Sequence, residues 1–267
     1  AMLDGMWECG DPGIINLERA RRDDPSIAGV NPCGEQPLPP YGSCCLGSII
    51  LPTLVEGGVM NYKELSKVSE IGARLLYRVI TTGVFPHKKF KNRANSEKRI
   101  GVGITGYAHA LIKMGKKYSQ SEYEISCILK TMEHAIRETN KDSKTILTIA
   151  PTGTTSLMAK VSSGIEPLFK THHIRRDNTG ETVEVDPLWG EYPAELFETA
   201  QEIDPYDHLK IQMVAQEIVD SGISKTINLP NNFDKKQLSN LIRAGLEGGL
   251  KGMTVYRDGS LMTQVLN

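Results

Sequence analysis

Asn31-Pro32-Cys33-Gly34-Glu35-Gln36-Pro37-Leu38-Pro39-Pro40, running on through Tyr41-Gly42-Ser43-Cys44-Cys45-Leu46-Gly47-Ser48-Ile49-Ile50, limits what this chain can build. A regular helix is excluded there, because each proline biases the residue before it towards extended backbone and Gly34 adds freedom. In an extended chain, residues two apart point the same way. Asn31, Cys33 and Glu35 are therefore expected on one face, placing an amide, a thiol and a carboxylate in one small volume. Such a set offers a neutral hydrogen-bond donor, a reactive sulfur and an acid–base group. The same pattern also suits a surface loop whose cysteine is incidental, and local geometry does not separate the two readings.

Outward from this segment the pattern is that of alternating strands and helices. Asn61-x-x-Glu64 spells a capping box, followed by Leu65, Val68, Ile71, Leu75 and Val79 at helical spacing. Glu97 to Ile104 is a strand candidate. Ser121-x-x-Glu124 opens a second helix with Ile125, Ile128, Leu129, Met132 and Ile136 on one face. The β-branched run Thr145 to Ile149 suits a short strand. Asp204-Pro205 is an N-cap and first-turn pair for a helix through about Val219. Lys225 to Leu229 and Gly252 to Tyr256 are further strands, separated by a helix from near Asp234. This alternation predicts an α/β domain with parallel strands, one unit over 1–267, with a polar excursion from His172 to Pro193.

Thr145 to Ile149 leads into Ala150-Pro151-Thr152-Gly153-Thr154-Thr155-Ser156 and a helix-compatible Leu157-Met158-Ala159. A strand passing through a Gly/Thr turn into a helix start gathers backbone N–H groups and hydroxyls in one concavity, which suits a phosphate. It is not a P-loop, lacking the Gly-Lys-Ser/Thr ending, and a plain threonine-rich N-cap gives the same letters. Gly101-Val102-Gly103-Ile104-Thr105-Gly106 spells a dinucleotide fingerprint. It lacks the apolar strand before it and the acidic strand end after it that such a site needs.

Composition excludes several classes. The 267 residues are 39% hydrophobic and 24% charged with a formal net charge of -1, so nothing electrostatic calls for nucleic acid or an anionic membrane. No apolar run approaches the roughly 20 residues of a membrane span. The first residues carry neither a basic patch nor a long apolar stretch, so no signal peptide is read and a cytoplasmic location is expected. Cys9, Cys33, Cys44, Cys45 and Cys127 show no metal-ligand spacing and no Cys-x-x-Cys pair, so no metal site is expected. Cys127 falls inside an amphipathic helix, where a packed thiol is expected.

Asn-Pro-Cys-Gly-Glu-Gln-Pro-Leu-Pro-Pro-Tyr-Gly-Ser-Cys, continuing Cys-Leu-Gly-Ser-Ile, resembles the finger-loop segment of class II, vitamin B12-dependent ribonucleotide reductases. Ala-Pro-Thr-Gly-Thr with Ser-Ser-Gly-Ile-Glu-Pro-Leu-Phe (Ser162 to Phe169) is similar to that family's diphosphate-holding segment. Arg99 to Gly106, Lys225 to Pro230 and Lys251 to Ser260 also match. The resemblance implies the later half of a ten-stranded reductase-type α/β barrel, with adenosylcobalamin as cofactor. By the same resemblance Cys33 carries a thiyl radical, Glu35 takes the 3′-hydroxyl proton and Asn31 holds a substrate hydroxyl. Pro32 and Gly34 are implied to bind the substrate with them, and Pro151, Thr152, Gly153, Thr154 and Thr155 to hold the phosphates. The family pattern Ser-Cys-x-Leu-x-Ser-Ile makes Cys44 the redox cysteine and puts Cys45 at the variable position.

The implied reaction is reduction of ribonucleoside di- or triphosphates to 2′-deoxyribonucleotides. Its implied partners are a ribonucleotide, an N-terminal half-barrel chain or segment, and an external thiol reductant such as thioredoxin; a homodimer is left open. No cobalamin-contacting residue can be named, because no short motif marks one. Thr254-Val255 stands where class I enzymes carry a tyrosine pair, in keeping with class II. Cys9, before Gly-Asp-Pro-Gly, and Ile50, where asparagine is common, depart from the pattern. The family's N-terminal half barrel and C-terminal redox tail are not found in the sequence. A non-catalytic subunit that keeps family residues is the rival from another class, and a nicotinamide oxidoreductase the other.

Overall fold

A computed structural model describes residues 2–177 and 180–260, and the side chains of these apart from 173–184. Its helices are α1 (Met2–Cys9), α2 (Leu17–Asp23), α3 (Tyr62–Thr82), α4 (Lys88–Glu97), α5 (Tyr107–Lys113), α6 (Glu122–Thr139), α7 (Gly153–Ala159), α8 (Pro205–Ile218) and α9 (Lys235–Glu247). The strands are β1 (Ile14–Ile15), β2 (Gly29–Val30), β3 (Pro37–Leu38), β4 (Cys45–Ile50), β5 (Val55–Glu56) and β6 (Val59–Met60). They continue with β7 (Ile100–Thr105), β8 (His172–Asp177), β9 (Gly180–Val185), β10 (Thr226–Leu229) and β11 (Gly252–Arg257).

A parallel layer organises the molecule. β4 pairs with β7 in parallel from Cys45↔Ile100 to Ile50↔Thr105. Extended segment 145–149 follows through single parallel bridges, Val102↔Leu147 and Ile149↔Ile223. The chain from Ile223 runs into β10, which pairs in parallel with β11, and β11 takes β1 antiparallel on its far edge. The order is thus β4, β7, 145–149, 223–229, β11, with helices in the connections, as parallel crossovers require. This is a half-barrel's worth of parallel strands, the fold class expected. The excursion after His172 is the β8–β9 antiparallel hairpin.

Glycines of the Gly101–Gly106 run serve this packing. A Cβ on Gly103 would lie 2.3 Å from the Thr148 carbonyl oxygen, so only glycine lets segment 145–149 close on β7. β7 is buried at every position. It forms no phosphate-cradling loop, which removes the structural basis of the nicotinamide alternative.

The helices begin where the capping residues say. Asn61, Asp204 and Asp234 each accept a backbone N–H of the first turn of α3, α8 and α9. Ser121 precedes α6 without capping it, because its hydroxyl accepts from Tyr107 and donates to the Tyr118 carbonyl. α6 buries Ile125, Ile128, Leu129, Met132 and Ile136, as spaced. α3 differs from its expected face. Leu65 is buried, but Ile71, Leu75 and Val79 are exposed, while Ser69, Ala73, Leu76 and Ile80 face inward. Small side chains explain the rotation, since Leu76 lies 3.5 Å from a Cβ on Gly47 and Val102 lies 3.9 Å from one on Gly72. Close approach to β4 and β7 outweighs the larger apolar stripe.

Two apolar clusters result. The larger joins α3, α5, α6, β7 and segment 145–149; the smaller joins α8, α9, β10 and β11 through residues such as Leu209, Leu241, Ile227 and Met253. Among the described residues no helix is long and apolar enough to cross a membrane.

Candidate active site

The segment Asn31 to Pro37 is not extended. β2 and β3 pair antiparallel through Gly29↔Leu38 and Val30↔Pro37, making a hairpin whose tip is residues 31–36. Asn31, Pro32, Cys33 and Gly34 form a β-turn closed by Gly34 N–H to the Asn31 carbonyl at 3.0 Å. Asparagine first, proline second and glycine fourth are the residues such a turn favours, and Gly34 sits at φ +79°. Asn31 then clamps the far side, its N–H donating to the Gln36 carbonyl at 3.2 Å and its side-chain oxygen accepting from Gln36 N–H at 2.9 Å. The one-face arrangement expected of Asn31, Cys33 and Glu35 is therefore corrected. Cys33 is exposed at the apex, whereas Glu35 is 3% exposed. The turn, which local alternation cannot represent, is the reason.

Glu35 is the anchor. Its carbonyl accepts from the Thr148 hydroxyl at 2.9 Å and from Gly222 N–H at 2.9 Å. The Gln36 side-chain amide donates a hydrogen bond to the same Thr148 hydroxyl at 2.8 Å. Gly222 is irreplaceable in this contact, because a Cβ there would stand 2.7 Å from the Gly34 carbonyl oxygen. Oxygen Oε2 of Glu35 is buried with no hydrogen-bond partner. An unsatisfied buried carboxylate oxygen is costly, on the order of 1–3 kcal/mol or more for a charged group, so this atom is poised to meet a donor that a ligand brings.

Cys45 opens β4, and Cys44 stands just before it. Cys45 packs against the larger apolar cluster. Cys44 lies within electrostatic reach of Glu35, Arg99 and Asp220, and burial pushes its thiol well above the ordinary range, Cys45, Asp220 and Glu35 adding to the rise and Arg99 opposing it. A thiol so held stays protonated at neutral pH and has hydrogen to give. Near it, by Pro37, a cavity of about 190 Å³ is lined by Asp23, Asp24, Arg99, Lys144, Asp220 and Lys251. Arg99 bridges Asp24 and Glu97 there, and Lys251 pairs with Asp23 at 2.7 Å. The described cysteines are all free, Cys9 and Cys127 lying outside this site and partly buried.

Thr152 to Thr155 stand at the other end of segment 145–149. Thr148 and Gly153 are five residues apart, so the hairpin anchor and this turn are separated by at most about 18 Å of chain. Thr152 takes φ +55° ahead of α7. Its hydroxyl accepts from Gly164 N–H at 2.8 Å and meets the Thr105 hydroxyl at 2.9 Å, so it belongs to the fold. Ser156 is likewise engaged, with the Ser163 hydroxyl at 2.8 Å. Gly153, Thr154 and Thr155 are exposed, and their N–H groups precede the first helical bond, Ser156 N–H to the Thr152 carbonyl at 2.8 Å. A Cβ on Gly153 would touch nothing within 4 Å. Pro151 is half-buried beside them.

Thr148, Gln36 and Gly222 are site-building residues that the sequence did not announce. Their partners are 74 to 187 positions away, beyond any local pattern. No group of three or more His, Cys, Asp or Glu able to hold a metal occurs among the described residues.

With this geometry in place, the comparisons with known proteins converge. A family model described as "Ribonucleotide reductase, barrel domain" matches residues 1–143, 126–192 and 187–256. The chain is 33% identical, over its full length, to 43% of a vitamin B12-dependent ribonucleoside-diphosphate reductase of Thermoplasma acidophilum. A reductase of the same description from Mycobacterium tuberculosis is 30% identical over 97% of this chain and 46% of its own length. Among solved structures, the class Id ribonucleotide reductase alpha subunit of Actinobacillus ureae superposes with a TM-score of 0.80 at 18% identity, over 97% of this chain and 60% of that one. The chain thus spans less than half the length of these two curated relatives.

Proposed function

This chain belongs to the ribonucleotide reductase barrel-domain family, and from that premise we propose that it forms the catalytic half of an adenosylcobalamin-dependent ribonucleotide reductase. The observation that carries the reading is the pairing of an exposed Cys33 thiol with a buried, unpartnered Glu35 carboxylate oxygen on one anchored hairpin. A thiyl radical and a buried base two positions apart on one turn are what abstraction of a ribose hydrogen needs.

In this reading Cys33, as a thiyl radical, takes the 3′ hydrogen atom of the sugar and becomes a thiol. Glu35 Oε2 takes the 3′-hydroxyl proton, and the side-chain amide donors of Asn31, left over by the turn, hold a substrate hydroxyl. The 2′-hydroxyl leaves as water. Cys44 and a second cysteine, in the part of the barrel this chain does not span, supply two electrons and two hydrogens and close to a disulfide. Cys33 then returns its hydrogen to the 3′ carbon. A thiol held protonated, as Cys44 is, suits that donation. The N–H groups of Gly153, Thr154 and Thr155 hold the diphosphate, with Pro151 and Thr152 shaping the turn.

Adenosylcobalamin, when bound, supplies the one-electron oxidation that makes the Cys33 radical. The residues present fit this, because Cys33 lies exposed at the apex of its hairpin, open to a cofactor beside the barrel. The partners are a ribonucleotide, an external dithiol reductant of the thioredoxin kind, and the complementary half barrel. β4, which pairs with β7 alone among the described strands, offers the edge for that half.

The test is assembly of this chain with the N-terminal half of a close reductase, followed by assay of deoxyribonucleotide formation with adenosylcobalamin and dithiol. Cys33→Ala is expected to abolish turnover. Cys44→Ala is expected to stop multiple turnovers that depend on the dithiol. Intact turnover in Cys33→Ala would end the proposal in favour of a non-catalytic role.

A further inference from the structure

Lys225 is a fully buried cation, its side chain 0% exposed, immediately before β10 and three residues after Gly222. Its ammonium donates to Glu166 Oε2 at 2.7 Å and to His208 Nδ1 at 3.1 Å, and it lies 5.4 Å above the Tyr118 ring. His208 Nε2 faces the Ala200 carbonyl at 3.0 Å. With Nδ1 accepting from lysine, the imidazole is neutral; burial, then the Lys225 charge, holds its pKa down at about 3. Glu166 uses its other oxygen to accept from Thr226 N–H at 2.6 Å. One carboxylate therefore grips both the lysine head and the start of β10.

We infer that Glu166 and Lys225 form a positioning pair that sets the spacing between the cysteine hairpin and the threonine turn. The inference rests on the proposed function and adds two residues to it. Lys225 lies three residues beyond Gly222, whose N–H and missing Cβ seat the hairpin. Glu166 lies two residues beyond Gly164, whose N–H holds the Thr152 hydroxyl. The ion pair is thus a strut from hairpin to turn, independent of segment 145–149, which joins them along the chain. Two struts make a frame; one leaves a hinge. Stability alone does not call for this pair, because burying a charge is costly and an apolar pair of similar volume often serves as well or better. What an ion pair with three further fixed partners supplies is one geometry.

The assembled enzyme of the preceding test carries the experiment, with kcat and KM from turnover and the Kd of a ribonucleoside diphosphate from calorimetry. Lys225→Met is expected to lower kcat on the order of 100-fold, because a sugar held about 1 Å out of line with the thiol reacts that much more slowly. The Kd, set locally at the turn, is expected to stay within about 3-fold. Glu166→Gln, which keeps an acceptor for Thr226 N–H, is the milder variant if Lys225→Met does not fold; it is expected to lower kcat about 10-fold with the same unchanged Kd. The double variant is expected to be no slower than Lys225→Met alone, as two members of one unit behave. Unchanged kcat in folded single variants, with only a lower Tm, overturns the positioning pair and leaves the proposed function standing. An unmodified enzyme that neither binds nor reduces the nucleotide overturns both.

Discussion

In the cysteine hairpin the backbone carries the fixing hydrogen bonds, at the carbonyl of Glu35, the amides of Asn31 and Gln36, and the N–H of Gly34, which leaves the Cys33 thiol and Glu35 Oε2 unengaged. In the threonine turn it is the hydroxyls of Thr152 and Ser156 that are tied down, while backbone N–H groups stand open. The first arrangement presents side chains, which do chemistry; the second presents main-chain dipoles, which hold anions without choosing among sugars. Both are fixed to segment 145–149, the hairpin through the Thr148 hydroxyl and the turn as its continuation, so their separation is a property of the fold and not of either loop. The comparison breaks wherever a substitution meant for one region disturbs the other.

Gly222→Ala is expected to have the largest effect. Its methyl would lie 2.7 Å from the Gly34 carbonyl oxygen and 3.0 Å from Glu35 Cα, both backbone atoms that cannot swing aside. The hairpin must move, and turnover in the assembled enzyme is expected to fall on the order of 100-fold or more. Nucleotide affinity, a property of the turn, is expected to change little. Equal losses in both would show that the regions are not separable.

Thiol labelling sharpens the hairpin side. Iodoacetamide attacks thiolates, and Cys44 is held protonated by burial while Cys33 is exposed. Peptide mapping at pH 8 is expected to find Cys33 modified at least about 10-fold faster than Cys44. Faster labelling of Cys44 would mean that its surroundings open in solution.

Segment by segment, the sequence shows what is local. The caps Asn61, Asp204 and Asp234, the α6 face and the alternation of strands with helices are written in neighbours a few positions apart, and the structure agrees with them. The α3 face is not, because Gly47 and Gly72 decide it by how closely β4 and β7 approach, and the apolar stripe Ile71, Leu75, Val79 points elsewhere. The hairpin tip illustrates the same limit. Prolines and glycine announce irregular backbone, yet whether it extends or turns depends on Thr148 and Gly222, more than 100 positions downstream. Residue types at the site were readable from motif; their exposure was not, and nothing local joined Glu166 and Lys225, each in a separate matching segment, to one another or to His208.

Acid probes the strut between the regions. His208 is neutral in the fold, with its pKa down at about 3, whereas an unfolded histidine titrates near 6.5. Because the folded value is the lower one, the unfolded chain takes up the proton first as pH falls. Full stability is therefore present above about pH 6.5 and is lost progressively from there towards pH 3. Between pH 7.5 and 5 the loss from this residue is about 2 kcal/mol, measurable by urea unfolding. His208→Gln is expected to flatten that slope, and an unchanged slope would place the acid sensitivity elsewhere.

Gly153→Ala is the smallest and the most diagnostic change for the turn. No atom lies within 4 Å of the new methyl, and Gly153 is not among the positive-φ glycines, so the fold has no objection. Replacing glycine at a compatible helical position stabilises by about 0.4–1 kcal/mol through the unfolded chain, and thermal unfolding is expected to show a small gain. The methyl nevertheless stands on the surface where backbone N–H groups must approach a phosphate closely. Stability and nucleotide affinity are thus expected to move in opposite directions, the Kd weakening about 3-fold or more while Tm rises. Should both hold steady or improve together, the diphosphate lies elsewhere, and the contrast between a region that presents side chains and one that presents backbone loses its second half.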